Sequence, residues 1–304
     1  MKPKQLILTL AAVLVTLALL VYASHRTHFQ WGVLAQQVHH VRWSNILLGM
    51  ALIYGAYLVR AARWTIFLRP TQHFPLLYLL GTQLIGFTAV ALLGRVADLT
   101  RPYLVARRTR LPIALQIAIY TVERMFDASS MAIIFSLALL LAPDRATLPH
   151  KQIAINVARG ALLASLALIV FAVAIRLSGE GIARTLETNL PHKLGSAIAH
   201  KVRGFKEGLN AVSSPAALLQ GAGLSLLMWV MISGAYLTTV HAFIGSPILV
   251  SMTLARSVIL MAASMAGSVV PIPIVSWFAQ ILVLQQAMQQ IFGVRPEPAL
   301  ACGT

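Results

Sequence analysis

The sequence predicts an all-α protein, a polytopic bundle of transmembrane helices that includes re-entrant segments. Hydrophobic residues make up 58% of the 304 residues and charged residues only 11%, which is about half the charged fraction of an ordinary soluble domain. The apolar residues are grouped in blocks of about 17–25, the length that crosses a hydrocarbon core about 30 Å thick. Basic residues, which outnumber acidic ones by 24 to 8, lie mainly between these blocks, as positive-inside loops do.

The apolar blocks define the candidate membrane segments in chain order. They are Leu6–Ala23, Ile46–Leu68, Leu76–Leu93, Ile113–Leu141, Ile153–Leu177, Ala216–Val240 and Ile248–Val270. The first block is longer than the apolar core of a signal peptide, so we interpret it as an uncleaved first helix. Residues 1–304 are therefore expected to form one integral membrane domain, located as a multi-pass protein in the cell (plasma or inner) membrane.

The last apolar stretch, Ile272–Phe292, differs from the others in its polarity. Pro271 and Pro273 interrupt its start, and five glutamines lie within it. A broken, partly polar segment is tolerated at membrane depth only where protein or a cavity surrounds it. We therefore expect a hairpin or re-entrant element here rather than a clean span.

One long polar stretch, residues 178–214, separates two apolar blocks. Ile198, Val202, Phe205 and Leu209 recur at three- and four-residue steps among basic residues, which predicts an amphipathic face. We interpret the stretch as an amphipathic interfacial loop on the anionic cytoplasmic leaflet. A gate or a docking surface is the alternative.

Topology follows from where the basic runs Arg95–Arg110 and Arg176–Lys206 lie. If the N-terminus is inside and every segment spans, both runs fall outside, against the positive-inside rule. Both fall inside if Leu76–Leu93 enters and leaves the membrane on one side, or if the N-terminus is outside. The distribution of basic residues favours re-entry.

Three clusters of ionisable residues lie in or beside these segments, where a charge is costly unless it is paired or hydrated. In the first, Arg60 and Arg63 stand one turn apart on one helix face, and Trp64 follows. Their chemistry suits a secondary contact to a polar ligand. The alternative is that both arginines snorkel to the membrane surface.

The second cluster contains Arg95, Asp98, Arg101 and Tyr103. Asp98 is three residues from each arginine, so on a helix it can neutralise either one. The remaining positive charge suits a phosphate, which the planar guanidinium binds through two donors. An ordinary basic cytoplasmic loop is the alternative.

The third cluster contains Glu123, Arg124 and Asp127. The two carboxylates share a helix face, where like charges repel unless a cation intervenes. Arg124 can pair with Asp127, which leaves Glu123 to meet Arg95 or Arg101. Their three carboxylates, with Asp98, then nearly balance Arg95, Arg101 and Arg124. A purely stabilising network is the alternative. Arg256, within a later apolar segment, is a weaker candidate.

Three motifs carry a resemblance to a known family. They are the Arg63-Trp64 pair, the stretch R-V-A-D-L-T-R-P-Y-L at Arg95–Leu104, and the stretch E-R-M-F-D at Glu123–Asp127. In this order they resemble the flippase-like family built on the transmembrane region of lysylphosphatidylglycerol synthase, over roughly residues 46–300. The resemblance implies a protein that moves polar lipids between leaflets.

Two departures from the family pattern concern the site. Ala97-Asp98 stands where relatives carry Gly-Glu, which keeps the charge on a shorter side chain. No glycine occurs between Val270 and Trp277, where relatives carry a glycine-rich turn. The chain also ends at Thr304, where relatives usually continue into another membrane helix, so we expect that it is truncated.

We therefore predict a protein that binds and translocates a polar, anionic or aminoacylated lipid. The expected headgroup contacts are Arg95, Asp98, Arg101, Tyr103, Glu123, Arg124 and Asp127, with Arg60, Arg63, Trp64 and Arg256 secondary. We expect no metal, cofactor, nucleic acid or catalytic function. Expected partners are membrane phospholipids, with a separate transferase or synthase and a second copy as further candidates. The alternatives are an accessory subunit or enzyme of lipid or glycan transfer, and a small-solute transporter.

Overall fold

The computed structural model describes residues 41–140, 151–211, 215–267 and 275–303. Almost all of these residues are helical, and no β-strand occurs among them apart from one isolated bridge between Val41 and Phe243. The prediction of an all-α helical bundle is confirmed.

The helices, numbered in chain order, differ widely in length. They are α1 (Trp43–Leu68), α2 (Leu76–Leu93), α3 (Thr100–Thr109), α4 (Ile113–Leu140), α5 (Lys151–Asn189), α6 (His192–Ala211), α7 (Pro215–Val240), α8 (Pro247–Val250), α9 (Leu254–Gly267), α10 (Val275–Phe292) and α11 (Pro296–Gly303). A 3-10 turn, Gly94–Leu99, joins α2 to α3.

Prolines mark where several of these helices begin. Pro215, Pro247 and Pro296 are the first residues of their helices, and Pro75 and Pro112 immediately precede α2 and α4. A proline ring fixes φ near the helical value and lacks the N–H that the first turn cannot satisfy within the helix. The prolines therefore determine where these helices start, even where the apolar block in the sequence begins a few residues away.

Two of the described helices, α1 and α7, are long and apolar enough to cross a membrane. Helix α1 has 26 residues, which corresponds to about 39 Å at the helical rise of 1.5 Å per residue. Shorter apolar stretches occur in α2, α5 and α9. Large apolar side chains on the outer faces of α1, α5 and α7 are exposed, Leu47, Leu163 and Leu219 by 62%, 67% and 75%, as expected of surfaces that face lipid.

The structure divides one predicted segment and leaves part of another outside the described residues. The continuous span Ile248–Val270 is wrong, because α8 ends at Val250 and α9 begins at Leu254. Short Ser and Thr hydroxyls compete for backbone groups at such breaks; here the Ser251 hydroxyl donates to the Ile248 carbonyl. In the stretch Ile272–Phe292, α10 runs unbroken from Val275, and glutamine is a good helix former. The break at Pro271 and Pro273, where a hairpin or re-entrant element is expected, lies outside the described residues.

The polar stretch 178–214 is a helical hairpin rather than a loop. Helix α5 continues to Asn189, the chain turns at Pro191, and α6 packs back against α5 and α4. Arg203 on α6 donates to both carboxylate oxygens of Glu187 on α5, at 2.7 and 2.9 Å. Gly195 permits the close approach, because a Cβ there would lie 2.6 Å from the Leu186 carbonyl oxygen. Its position at the membrane interface stays a prediction.

Helices α1 and α7 pack along most of their lengths and form the centre of the bundle. Glycines lie at this contact, as small residues do between membrane helices. A Cβ at Gly221 would lie 2.6 Å from Phe67 Cε1, and one at Gly49 would lie 3.0 Å from Thr239 Oγ1. Helix α4 packs against α7, and its acids Glu123 and Asp127 reach Arg63 of α1.

The close approach at Gly221 gives a testable prediction. Gly221→Ala should lower the midpoint of thermal unfolding in detergent, because the added methyl overlaps the fully buried Phe67 ring and overpacking typically costs about 1–3 kcal/mol. Gly223→Ala is the matched control two residues along the same helix, where a Cβ would meet nothing within 4 Å. Equal midpoints for the two variants would contradict this packing.

Candidate functional site

A buried cluster of charged side chains joins α1 to α4. Arg63 of α1 is 1% exposed and bridges both carboxylates of α4. Its Nη2 lies 2.8 Å from Glu123 Oε1, and its Nη1 donates to Asp127 Oδ1 at 2.6 Å. Ser225 of α7 also accepts a hydrogen bond from Nη1. The i, i+4 spacing of the two acids therefore serves to hold one guanidinium between them.

Helix α3 contributes Arg101, which is fully buried. Its Nη2 donates to Glu123 Oε2 at 2.7 Å. Its guanidinium carbon lies 4.5 Å from the Phe87 ring centroid and 5.3 Å from that of Tyr120. The aliphatic part of Arg101 passes directly over Gly86 of α2, where a Cβ would overlap it. Gly86 therefore leaves the space that Arg101 occupies.

Glu123 is the acceptor at which these contacts meet. Besides Arg63 and Arg101, the indole N–H of Trp64 donates to its Oε2. The carboxylate is fully buried, and a buried charge is tolerated only when it is paired and hydrogen-bonded. Contacts from α1 and α3 thus converge on one side chain of α4.

Two further arginines lie at the edge of the cluster. Arg60 Nη2 is 3.6 Å from Asp127 Oδ2, and its Nε donates to the sulfur of Met228 at 3.1 Å. Arg124 lies 3.6 Å from Glu123 Oε1 and 3.7 Å from Asp127 Oδ2, and its side chain is 38% exposed. We call Arg60, Arg63, Arg101, Glu123, Arg124 and Asp127 the arginine–carboxylate network.

The structure corrects three expectations about these residues. Snorkelling of Arg60 and Arg63 is wrong, because both are buried against carboxylates of α4. Arg101 pairs with Glu123 rather than with Asp98, because α3 directs it towards α4. The expected set of balancing charges was also incomplete: Arg60 and Arg63 join the site, so four arginines face Glu123 and Asp127, with Asp98 acting on Arg124.

The remaining predicted residues are placed as follows. Asp98 is half-buried in the 3-10 turn before α3, and the side chain of Arg95 lies outside the described part. Tyr103 is 55% exposed on α3, and Arg256 is half-buried on α9. The glycine-free turn at 270–274 also lies outside the described residues.

Sequence reasoning missed the residues that frame the network. Phe87 and Tyr120 flank Arg101, Gly86 makes room for it, and Ser225 holds Arg63. A lone glycine or aromatic residue in an apolar helix is common, so these residues carried little signal. Gln83 of α2 is also fully buried, and its amide has no hydrogen-bond partner among the described residues, which is unusual for a polar side chain.

Several donors of the network have no hydrogen-bond partner. They are Nε and Nη1 of Arg101 and Nε and Nη2 of Arg63 and of Arg124. The acceptors Glu123 Oε1 and Asp127 Oδ2 lack a hydrogen bond as well, although Arg63 Nη2 and Glu123 Oε1 form a close ion pair. Guanidinium N–H groups bind oxyanions such as phosphate strongly and with directional geometry. Within the described residues no group of three or more His, Cys, Asp or Glu side chains could hold a metal ion. The chemistry that this arrangement offers is recognition of an anion.

An apolar cavity lies close to the network. It has a volume of about 430 Å³ and is lined by residues of α1, α7, α9, α10 and α11. Tyr57 lines its wall and stacks on Phe87, with ring centroids 4.9 Å apart. Phe87 in turn lies 4.5 Å from the guanidinium carbons of both Arg60 and Arg101. Tyr57 and Phe87 therefore connect the wall of the cavity to the network.

The family model described as "Lysylphosphatidylglycerol synthase TM region" matches residues 9–303. The chain belongs to this family. The match covers more than the residues 46–300 over which the motifs suggested it, and it identifies the chain as a membrane protein of a family related to lipid handling. Neither the curated proteins nor the solved structures that were compared contain a match.

The position of Glu123 gives a second prediction, on stability. Glu123→Gln should lower the unfolding free energy by about 3–5 kcal/mol, the cost of breaking a buried ion pair and leaving its partner charged, here Arg63 and Arg101. Glu187→Gln is the control, because it removes an exposed pair with Arg203, and exposed pairs contribute little. Thermal unfolding in detergent measures both; a Glu123→Gln variant as stable as Glu187→Gln would contradict the role of Glu123.

Proposed function

We propose that this protein binds a phosphate-bearing membrane lipid at the arginine–carboxylate network and translocates it between the leaflets of the cell membrane. The observation that carries the proposal is the buried cluster of four arginines, with unpartnered donors, beside an apolar cavity. A phosphate suits the donors, and an acyl chain suits the cavity. The lipid would be moved without covalent change, in a multi-pass protein.

Burial supports a ligand that is itself amphipathic. The network lies on α1, α3 and α4, of which α1 has the length of a membrane span. Arg63 and Arg101 are almost fully buried, and ionisable residues within membrane segments typically mark substrate pathways. A polar headgroup that crosses the membrane needs such a site, because bare hydrocarbon offers it no hydrogen bonds.

The family match supports the proposed lipid function independently of the geometry of the site. A match over nearly the whole chain to the transmembrane region of a lipid synthase relates this fold to membrane lipids. The alternative of a transferase accessory gains no specific support from the described residues, so we propose only the lipid function.

Translocation can be tested in proteoliposomes. We expect the purified protein to accelerate the flipping of a fluorescent short-chain phosphatidylglycerol, measured by quenching of the outer leaflet with dithionite. Arg101→Lys keeps the charge but loses the planar fork; it should slow flipping roughly tenfold, the equivalent of about 1.4 kcal/mol. Flipping no faster than in protein-free vesicles would contradict the proposal.

Two glycine variants on α2 test whether flipping depends on the position of the Arg101 side chain, because neither variant changes a charge. Gly86→Ala should displace Arg101 and slow flipping, whereas Gly81→Ala, one and a half turns earlier, should not. A Cβ at Gly81 would meet only Arg108 Nη1, at 3.6 Å, an ordinary contact. Equal flipping rates in the two variants would show that the position of Arg101 does not matter.

A further inference from the structure

The network carries an excess of positive charge. Arg60, Arg63, Arg101 and Arg124 form ion pairs with Glu123 and Asp127, so four arginines meet two carboxylates, and Asp98 also acts electrostatically on Arg124. Counting half-buried Asp98, on the turn before α3, would still leave one positive charge. The described residues that form the network therefore do not neutralise one another.

The excess positive charge matters because most of the arginines that carry it are buried. Arg63 and Arg101 are 1% and 0% exposed, and Arg60 is 7% exposed. Charges in a low-dielectric interior interact strongly and are little screened by salt. The rings of Phe87 and Tyr120 attract the guanidinium groups through their negative faces, but they carry no net charge. Among the described residues only Asp98 adds further negative charge near Arg124, so an anionic ligand would supply the remaining counter-charge.

The geometry shows where that ligand would bind. Arg101 uses one nitrogen for Glu123 and leaves Nε and Nη1 without an acceptor. Arg124, the most exposed network member, shares the ring of Tyr120 with Arg101, at 4.9 and 5.3 Å. An anion would first meet Arg124, at the exposed edge of the network, and the buried Nε and Nη1 of Arg101 lie beside the same ring.

We propose that the network selects a lipid whose headgroup carries a net negative charge and disfavours an aminoacylated headgroup whose net charge is positive. This inference rests on the proposed function and deepens it. A phosphodiester oxygen accepts from Arg101 and Arg124, whereas the ammonium groups of an aminoacyl ester would add like charge to an uncompensated cluster. Like charges placed together at a buried contact strongly disfavour the wrong partner.

The test compares lipids that share acyl chains and differ in headgroup charge. Full-length protein in detergent is titrated with phosphatidylglycerol (net negative), phosphatidylethanolamine (zwitterionic) or lysylphosphatidylglycerol (net positive), and binding is measured by native mass spectrometry. We expect phosphatidylglycerol to bind at least roughly tenfold more tightly than lysylphosphatidylglycerol. Phosphatidylethanolamine should lie between them. Inorganic phosphate is titrated in parallel by thermal shift.

The outcomes separate this inference from the proposed function. Equal or tighter binding of lysylphosphatidylglycerol would overturn the charge selectivity and leave the lipid function standing. Binding of none of the three lipids would overturn both. If inorganic phosphate stabilises the protein as much as phosphatidylglycerol does, the ligand is a soluble anion, and the assignment to a lipid is wrong.

Arg124 provides a variant with a matched control. Arg124→Gln removes one excess charge from the least buried network position, so the preference for phosphatidylglycerol should fall severalfold, while Arg124→Lys should retain most of it. Arg184→Gln, on α5, removes the same charge from an exposed residue that pairs with Glu180 at 3.5 Å, and it should leave the preference unchanged. An equal loss in Arg184→Gln would assign the selectivity to overall charge and overturn the proposal.

Discussion

The carboxylate of Glu123 is fully buried and meets donors from two other parts of the bundle: Arg63 and Trp64 of α1, and Arg101 of α3. A buried carboxylate without such partners would be far too costly to ionise, and the arginines would be equally costly without it. The position of α3 beside α4, the burial of Arg101 against Gly86 and the alignment of α1 with α4 all depend on this mutual compensation. The apolar packing around Trp64 and Phe67 then encloses the charged cluster.

A buried ion network is weak evidence for stability, because desolvation can exceed the Coulombic gain. Here the imbalance of charge indicates that the network does more than stabilise the fold. A site designed only to hold helices together would pair its charges, as Arg203 does with Glu187 at the α5–α6 hairpin. The network instead keeps an excess of cations and several unpartnered donors, close to an apolar cavity. These features complement the headgroup and the chain of a lipid.

Much of the fold could be predicted from the sequence, because hydrophobic blocks and prolines are local signals. Helix α2 agrees at both ends with the predicted Leu76–Leu93, and α4 begins at the predicted Ile113 and continues to Leu140, the last residue of this described range. The break between α8 and α9 was missed because short hydroxyl side chains barely change hydropathy. In the site, the two motifs predicted that Glu123 meets either Arg95 or Arg101, and the structure shows Arg101, but the roles of Arg63 and Gly86 did not follow from the motifs. Their partners lie on other helices, and no pattern along the chain reports a contact between helices.

The most direct test of the central claim is a double-mutant cycle between Glu123 and Arg101, measured as unfolding free energy in a mild detergent. If Glu123 organises the site, Glu123→Gln and Arg101→Gln should be strongly non-additive, with a coupling energy of about 1–3 kcal/mol, because each variant already removes the contact that the other would lose. The double variant should therefore be little less stable than the worse single variant. Additivity within about 0.5 kcal/mol would contradict the account, because the two side chains would then act independently.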